Sequence, residues 1–156
     1  MIQEFADRGD LLSLKLKMKE KGKKFSEPYM LQLIVQLFAA LAFAHARGVI
    51  HRDIKAENVL LMANGDLKLG DWGVAVMDFA AAKADAEGLE KTARAGSGEG
   101  SVLFMAPEIL LIHLNKPGKP DSYDNRVDSW SAGAMFFILL NGGWPFAKND
   151  EKLEWI

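Results

Sequence analysis

The stretch "HRDIKAENVLL", residues 51–61, sets a carboxylate at Asp53, an ammonium at Lys55, a second carboxylate at Glu57 and an amide at Asn58 directly before an apolar run. Charged groups beside a core cost desolvation unless they are paired, so their presence asks for a chemical use. The runs at 59–62 and 67–70, separated by "ANGD", predict two short strands around an Asn-Gly turn. In an antiparallel hairpin the residue before the first strand and the residue after the second share the open end, about 5 Å apart in backbone terms. Here those residues are Asn58 and Asp71. An amide oxygen and a carboxylate oxygen at one corner suit Mg²⁺ held jointly by protein and substrate phosphates. With Asp53 as acceptor and Lys55 as a nearby cation, the set fits phosphoryl transfer, where positioning and charge neutralisation carry most of the catalysis. The competing reading is that these are ordinary loop polars.

The rest of the chain must position that corner. Ser26, followed by "EPYMLQLIVQLFAALAFAHARG", predicts a capped helix with Pro28 in its first turn and Gly48 as its stop. Met30, Leu33, Ile34, Leu37, Phe38 and Leu41 recur at the helical period and define a core face. His45 continues that face, which favours a packing role over a catalytic one. Residues 127–140, "VDSWSAGAMFFILL", are apolar nearly all round and predict a buried central helix ended by "NGGWPF". Between them, residues 76–100 shift to Ala, Gly, Lys and Glu, which predicts a long loop.

With 156 residues, about half of them apolar, the chain is long enough for one core. The absence of cysteine excludes disulfides, thiolate zinc sites and thiol nucleophiles. A net charge of −2 gives no overall basic field, so nucleic acid is not an expected partner. The run "KLKMKEKGKK", residues 15–24, is locally cationic and reads as a solvated helix face or loop. No signal pattern opens the chain, and the apolar stretch "AGAMFFILL" is shorter than the ~20 residues of a membrane span. An intracellular, cytoplasmic protein with no membrane partner is the expectation.

"HRDIKAEN", "DWG" at 71–73 and "APE" at 106–108, in that order, resemble the signature set of the eukaryotic protein kinases, serine/threonine type. "SVLFMAPE" resembles the segment that seats the substrate, "DSWSAG" the start of the central helix, and "QEFADRGDLL" the hinge that holds adenine. "FILLNGGWPF" and the spacing from "KAENVLL" to "GDLKLGDWG" are most similar to the calcium/calmodulin-dependent group. The resemblance implies an α+β, mainly α-helical fold. It would be a kinase-like C-terminal lobe with a short catalytic β-hairpin, one partial domain over 1–156 with an activation segment at about 71–108, clipped at both ends. It implies ATP and Mg²⁺ as cofactors and protein substrates as partners.

By the same resemblance, Asp53 would be the catalytic base and Lys55 would neutralise the transferring phosphoryl group. Asn58 and Asp71 would hold Mg²⁺. Glu4 and Ala6 would offer backbone hydrogen bonds to adenine, Asp10 would reach the ribose, and Leu60 would pack beneath the ring. Arg52 would receive a phosphate carried by the long loop on Thr92, Ser97 or Ser101, and Asp128 would bind backbone amides of the catalytic loop. Trp72 stands where the family usually has phenylalanine, Ala56 where it has proline and Phe104 where tyrosine is common. The Gly-rich loop, strand lysine and helix glutamate of the family would lie before Met1, in an N-terminal lobe or regulatory protein that becomes a further partner. "GSGEGS" at 96–101 lacks the final glycine of such a loop. Two functions stay open from the sequence: a serine/threonine kinase, or an incompetent kinase-like lobe that serves as a protein-binding module.

Overall fold

The structure is a computed structural model and describes residues 4–77, 101–120 and 122–146. Its elements in chain order are α1 (Leu11–Glu20), α2 (Glu27–His45), β1 (Val49–Ile50), a 3₁₀ turn at Ala56–Asn58, β2 (Val59–Leu61), β3 (Leu67–Leu69), β4 (Val76–Met77), a second 3₁₀ turn at Ser101–Phe104, α3 (Pro107–His113) and α4 (Arg126–Asn141). The expected loop at 76–100 falls, beyond Met77, outside the described residues, and Thr92 and Ser97 with it. Ser101 opens the second 3₁₀ turn.

The helix starting after Ser26 forms as its sequence predicts. The Ser26 hydroxyl accepts the Tyr29 amide at 3.4 Å, Pro28 sits in the first turn, and the chain leaves the helix through Gly48 at φ 73°. Met30, Leu33, Leu37 and Leu41 are buried, but Ile34 is only partly covered and Phe38 is 39% exposed. The core stripe is therefore narrower than the apolar pattern suggested. Gln36, which interrupts the apolar run, clamps the hairpin turn: its Oε1 accepts the Leu67 amide at 2.8 Å and its Nε2 donates to the Gly65 carbonyl at 3.2 Å. Among the described residues α2 is also the one helix long and apolar enough, by length and composition, to cross a membrane.

The hairpin pairs antiparallel in the register Val59↔Leu69, Leu60↔Lys68 and Leu61↔Leu67. Gly65, at φ 94°, supplies the left-handed residue that the turn requires. A second antiparallel pair joins β1 to β4, with Ile50 opposite Val76. Together α1, α2, the hairpin and α4 enclose one apolar cluster that includes Leu11, Leu37, Ile54, Val59 and Met135. A second cluster of Ile50, Met105, Ile109, Leu110, Tyr123 and Val127 lies under α3.

α4 departs from the sequence expectation of a helix buried all round. Val127, Ala132, Met135, Phe136 and Leu139 are buried, whereas Trp130, Phe137 and Leu140 are 37%, 42% and 48% exposed. Its strongest described packing is against α2 and the Ser101–Phe104 turn. Gly142, at φ 76°, ends the helix and donates to the Ile138 carbonyl at 2.8 Å, so "NGGWPF" acts as the stop it resembled.

Candidate active site

The loop between β1 and the first 3₁₀ turn carries Asp53 and Lys55, and Asn58 closes that turn. Lys55 Nζ lies 2.8 Å from Asp53 Oδ2, and the Asn58 amide donates to the same oxygen at 3.0 Å and to the Asp53 carbonyl at 2.8 Å. All three residues are less than a tenth exposed: Asp53 6%, Lys55 8%, Asn58 6%. Removing either partner of such a buried pair would strand the other in a poorly solvated place.

Asp128 holds this loop in shape. Its carboxylate is fully buried and accepts the His51 amide at Oδ2, the Arg52 amide at Oδ1 (both 2.8 Å) and the His45 ring at Oδ2, also 2.8 Å. Arg52 needs that support, since its φ of 69° is left-handed and costs a non-glycine residue about 1–2 kcal/mol. His45 thus has the packing role its place on the helix face indicated, and Asp128 binds the loop amides that the resemblance implied.

His51 is the link to the hairpin. Its Nε2 meets the Gly70 carbonyl at 2.9 Å and its Nδ1 meets the Asp53 amide at 3.3 Å. One neutral tautomer, with the proton on Nε2, satisfies both contacts. Burial favours that neutral form and lowers the pKa below the usual histidine value. The Gly70 hydrogen bond and the carboxylates of Asp128, Asp53 and Asp71 pull the other way.

The Gly70 amide donates to the Asn58 carbonyl at 2.8 Å, so the hairpin's open end does set Asp71 one residue from a direct backbone bond to Asn58. Asp71 is exposed, with φ 54°, and among the described residues its Oδ1 takes one long contact, 3.4 Å from the Gly73 amide. The Trp72 indole donates to the Leu69 carbonyl at 3.0 Å and its ring meets the His51 imidazole edge-on at 4.6 Å. This tether spans Asp71, and a phenylalanine could not make it.

The donor chemistry suits Mg²⁺. The Asn58 amide nitrogen is committed to Asp53, which leaves its oxygen as the acceptor, and Asp71 is exposed at the same end of the hairpin. Among the described residues no group of three or more His, Asp or Glu could hold a metal unaided. Two hard oxygens that need phosphate and water to complete an octahedron match the way Mg²⁺ binds.

The edge expected to receive adenine is laid along β2. The Arg8 amide donates to the Leu61 carbonyl at 3.1 Å, the Leu61 amide donates to the Gly9 carbonyl at 2.9 Å, and Asp10 bridges Leu60. Glu4 is exposed and Ala6 partly so, and the Ala6 carbonyl already accepts the Gly9 amide at 3.1 Å. Asp10 caps α1, accepting the Ser13 amide at 2.8 Å and the Ser13 hydroxyl at 2.7 Å. Any ribose contact would share that carboxylate. Leu60 lies over Gly70, where an added Cβ would come within 3.0 Å of its Cδ1.

Arg52 contributes more than its position in the motif suggests. Its Nε donates to the Val74 carbonyl at 2.6 Å and its Nη1 to the Tyr123 hydroxyl at 2.8 Å, which ties the catalytic loop to the cluster under α3. Sequence reasoning missed Tyr123. A lone tyrosine 71 positions away carries no local signal of this contact.

Comparison with known proteins gives the family. The sequence profile of the family described as "Protein kinase domain" covers residues 1–155. "CBL-interacting protein kinase 22" of Oryza sativa subsp. japonica is 38% identical over 154 residues, which is 98% of this chain and 31% of that protein. "CBL-interacting protein kinase 30" of the same species is 36% identical over 150 residues, 96% of this chain and 27% of its own length. "NUAK family SNF1-like kinase 2" of Homo sapiens is 31% identical over 153 residues, 98% of this chain and 21% of that protein. The chain belongs to the eukaryotic protein kinase family, serine/threonine type. It spans under a third of the length of these relatives.

Proposed function

We propose that this chain supplies the catalytic half of a serine/threonine protein kinase: the C-terminal lobe, with hinge and activation segment, of a domain that moves the terminal phosphate of ATP to protein hydroxyls. The observation that carries this reading is the buried set of Asp53, Lys55 and Asn58 at the open end of a hairpin whose far strand delivers Asp71. Asp53 accepts and orients the substrate hydroxyl, and takes its proton as the oxygen attacks phosphorus. Lys55 starts on Asp53 and is placed to follow the negative charge onto the transferring group. Asn58 and Asp71 would hold Mg²⁺, which supplies charge neutralisation on the phosphates when bound. The loop reorganises little during the step because Asp128 and His51 already fix its backbone. Glu4 and Ala6 would offer backbone hydrogen bonds to adenine, Asp10 would reach the ribose and Leu60 would pack beneath the ring, and Arg52 is the receiver for a phosphate on the activation segment.

The test joins this chain to an N-terminal lobe of the family and follows phosphate transfer to a serine peptide. Asp53→Asn lowers turnover by about a hundredfold or more, with binding of the peptide retained. Transfer undiminished in that variant sinks the assignment of Asp53. No transfer by the parent, with peptide binding intact, favours the binding-module alternative.

A further inference from the structure

The cationic run after the hinge has no part in the chemistry above, and its arrangement is selective. Lys15 turns inward, donating to the Leu139 carbonyl at 2.6 Å and lying 5.6 Å from the Phe25 ring centre, so it anchors α1 to the end of α4. Lys17, Lys19, Lys21, Lys23 and Lys24 are all exposed, with Glu20 the one acid among them. None of the five has an ion-pair partner among the described residues. Five like charges in eight residues repel one another in a protein whose net charge is −2. The helix dipole favours Lys17, Lys19 and the C-cap Lys21, but it does not reach Lys23 and Lys24 beyond them.

The strip sits on a rigid mount close to the catalytic loop. Leu11, fully buried, packs in the same cluster as Ala56 and Val59, the residues on either side of the Glu57-Asn58 pair. From Leu11 the helix rises about 15 Å to Lys21 at about 1.5 Å per residue. An extended chain, at roughly 3.3 Å per residue, covers that distance plus the step from Asp53 in about five to eight residues.

We propose that Lys17 to Lys24 form a docking strip for an acidic segment of the protein substrate, set about five to eight residues from the hydroxyl that Asp53 receives. The position of the hydroxyl rests on the phosphoryl-transfer reading; the binding does not. Charge complementarity names the ligand, a run of Asp and Glu in extended chain. A membrane surface fits poorly, because the apolar residues of α1 are turned into the core and Leu16, half exposed, is left alone to insert. Nucleic acid fits poorly as well, since the strip holds no arginine and its neighbouring rings, Phe25 and Tyr29, stack on each other.

The test needs no nucleotide, so its failure and that of the kinase reading are separate results. A fluorescein-labelled peptide with a block of about six glutamates roughly six residues from one serine is titrated against the chain by anisotropy, beside the same peptide with glutamine for glutamate. The acidic peptide should bind at least about tenfold tighter than the glutamine version, and raising salt from about 0.05 to 0.3 M should remove most of that advantage. Lys17→Glu, Lys21→Glu and Lys24→Glu together should abolish it, with glutamine at the same three positions giving a partial loss if the reversed variant misfolds. Lys116→Glu, exposed on the far side of the sequence, should leave it unchanged. Equal binding of the two peptides overturns the proposal, as does full binding by the glutamine-substituted variant. Tighter binding of a single-stranded oligonucleotide or of phosphatidylserine vesicles than of the acidic peptide overturns it too.

Discussion

The loop from His51 to Asn58 and the edge from Glu4 to Asp10 both lie against the β2–β3 hairpin, yet they are built on opposite terms. His51 is fully buried while Phe5 is 80% exposed. The His51 and Arg52 amides, the His51 ring and the Asn58 amide nitrogen all have partners within the protein, from the Asp128 carboxylate to the Gly70 carbonyl. The edge is held by backbone bonds to β2 and by one helix cap. Buried polar groups are tolerated only when they are satisfied, so the loop is made rigid by necessity. The edge buries few polar side chains and can remain shallow. If that contrast is real, damage to the loop's supports will reach the whole fold and damage to the edge will not.

The largest effect should come from Asp128→Ala. It leaves the His51 and Arg52 amides and the His45 ring without their acceptor and removes the support for a left-handed residue. Breaking a buried charged network of this kind costs about 3–5 kcal/mol, enough to unfold many small domains. The measurement is the urea midpoint of the chain followed by circular dichroism. A midpoint near that of the parent would mean the loop holds itself.

Asp10→Ala probes the other side. It removes an N-cap whose two oxygens serve Ser13, and caps of this type contribute about 1 kcal/mol. The urea midpoint should drop by a correspondingly small amount. A loss as large as that of Asp128→Ala would erase the contrast between loop and edge.

How far the sequence could be read follows the same division. The hairpin, its register end and the grouping of Asp53, Lys55 and Asn58 were legible because they depend on residues within a few positions of one another, under a turn signal at Asn64 and Gly65 that permits few geometries. Asp128 as the loop's anchor came from the resemblance, since no local pattern joins residues 77 positions apart. The Arg52 contact to Tyr123 and the Trp72 tether to Leu69 were not legible: one depends on how α3 and the β1 end meet in space, the other on a side-chain rotamer. The exposure of Phe38, Trp130 and Phe137 was misjudged because an apolar pattern records what a face could bury, and not what lies against it. Asp10 showed the subtler limit, as one carboxylate can be both a cap and a ligand contact, and spacing does not separate the two.

The smallest and sharpest test of the contrast is the acid limb of stability at His51. The unfolded imidazole titrates near 6.5, and burial holds the folded one below that value. Above about pH 6.5 both states carry the neutral ring and the full contribution of His51 is present. As pH falls through the unfolded value the unfolded chain takes the proton first, so stability declines, and the decline ends once pH passes the folded pKa. His51→Gln removes this term, because glutamine does not titrate. The variant should have a lower urea midpoint at neutral pH, having lost the two-sided link between the Gly70 carbonyl and the Asp53 amide. Between about pH 6.5 and 5 its midpoint should then fall less steeply than the parent's. Parallel acid limbs would show that His51 is protonated as readily inside the fold as outside it. The neutral bridge from hairpin to catalytic loop would then have to be given up.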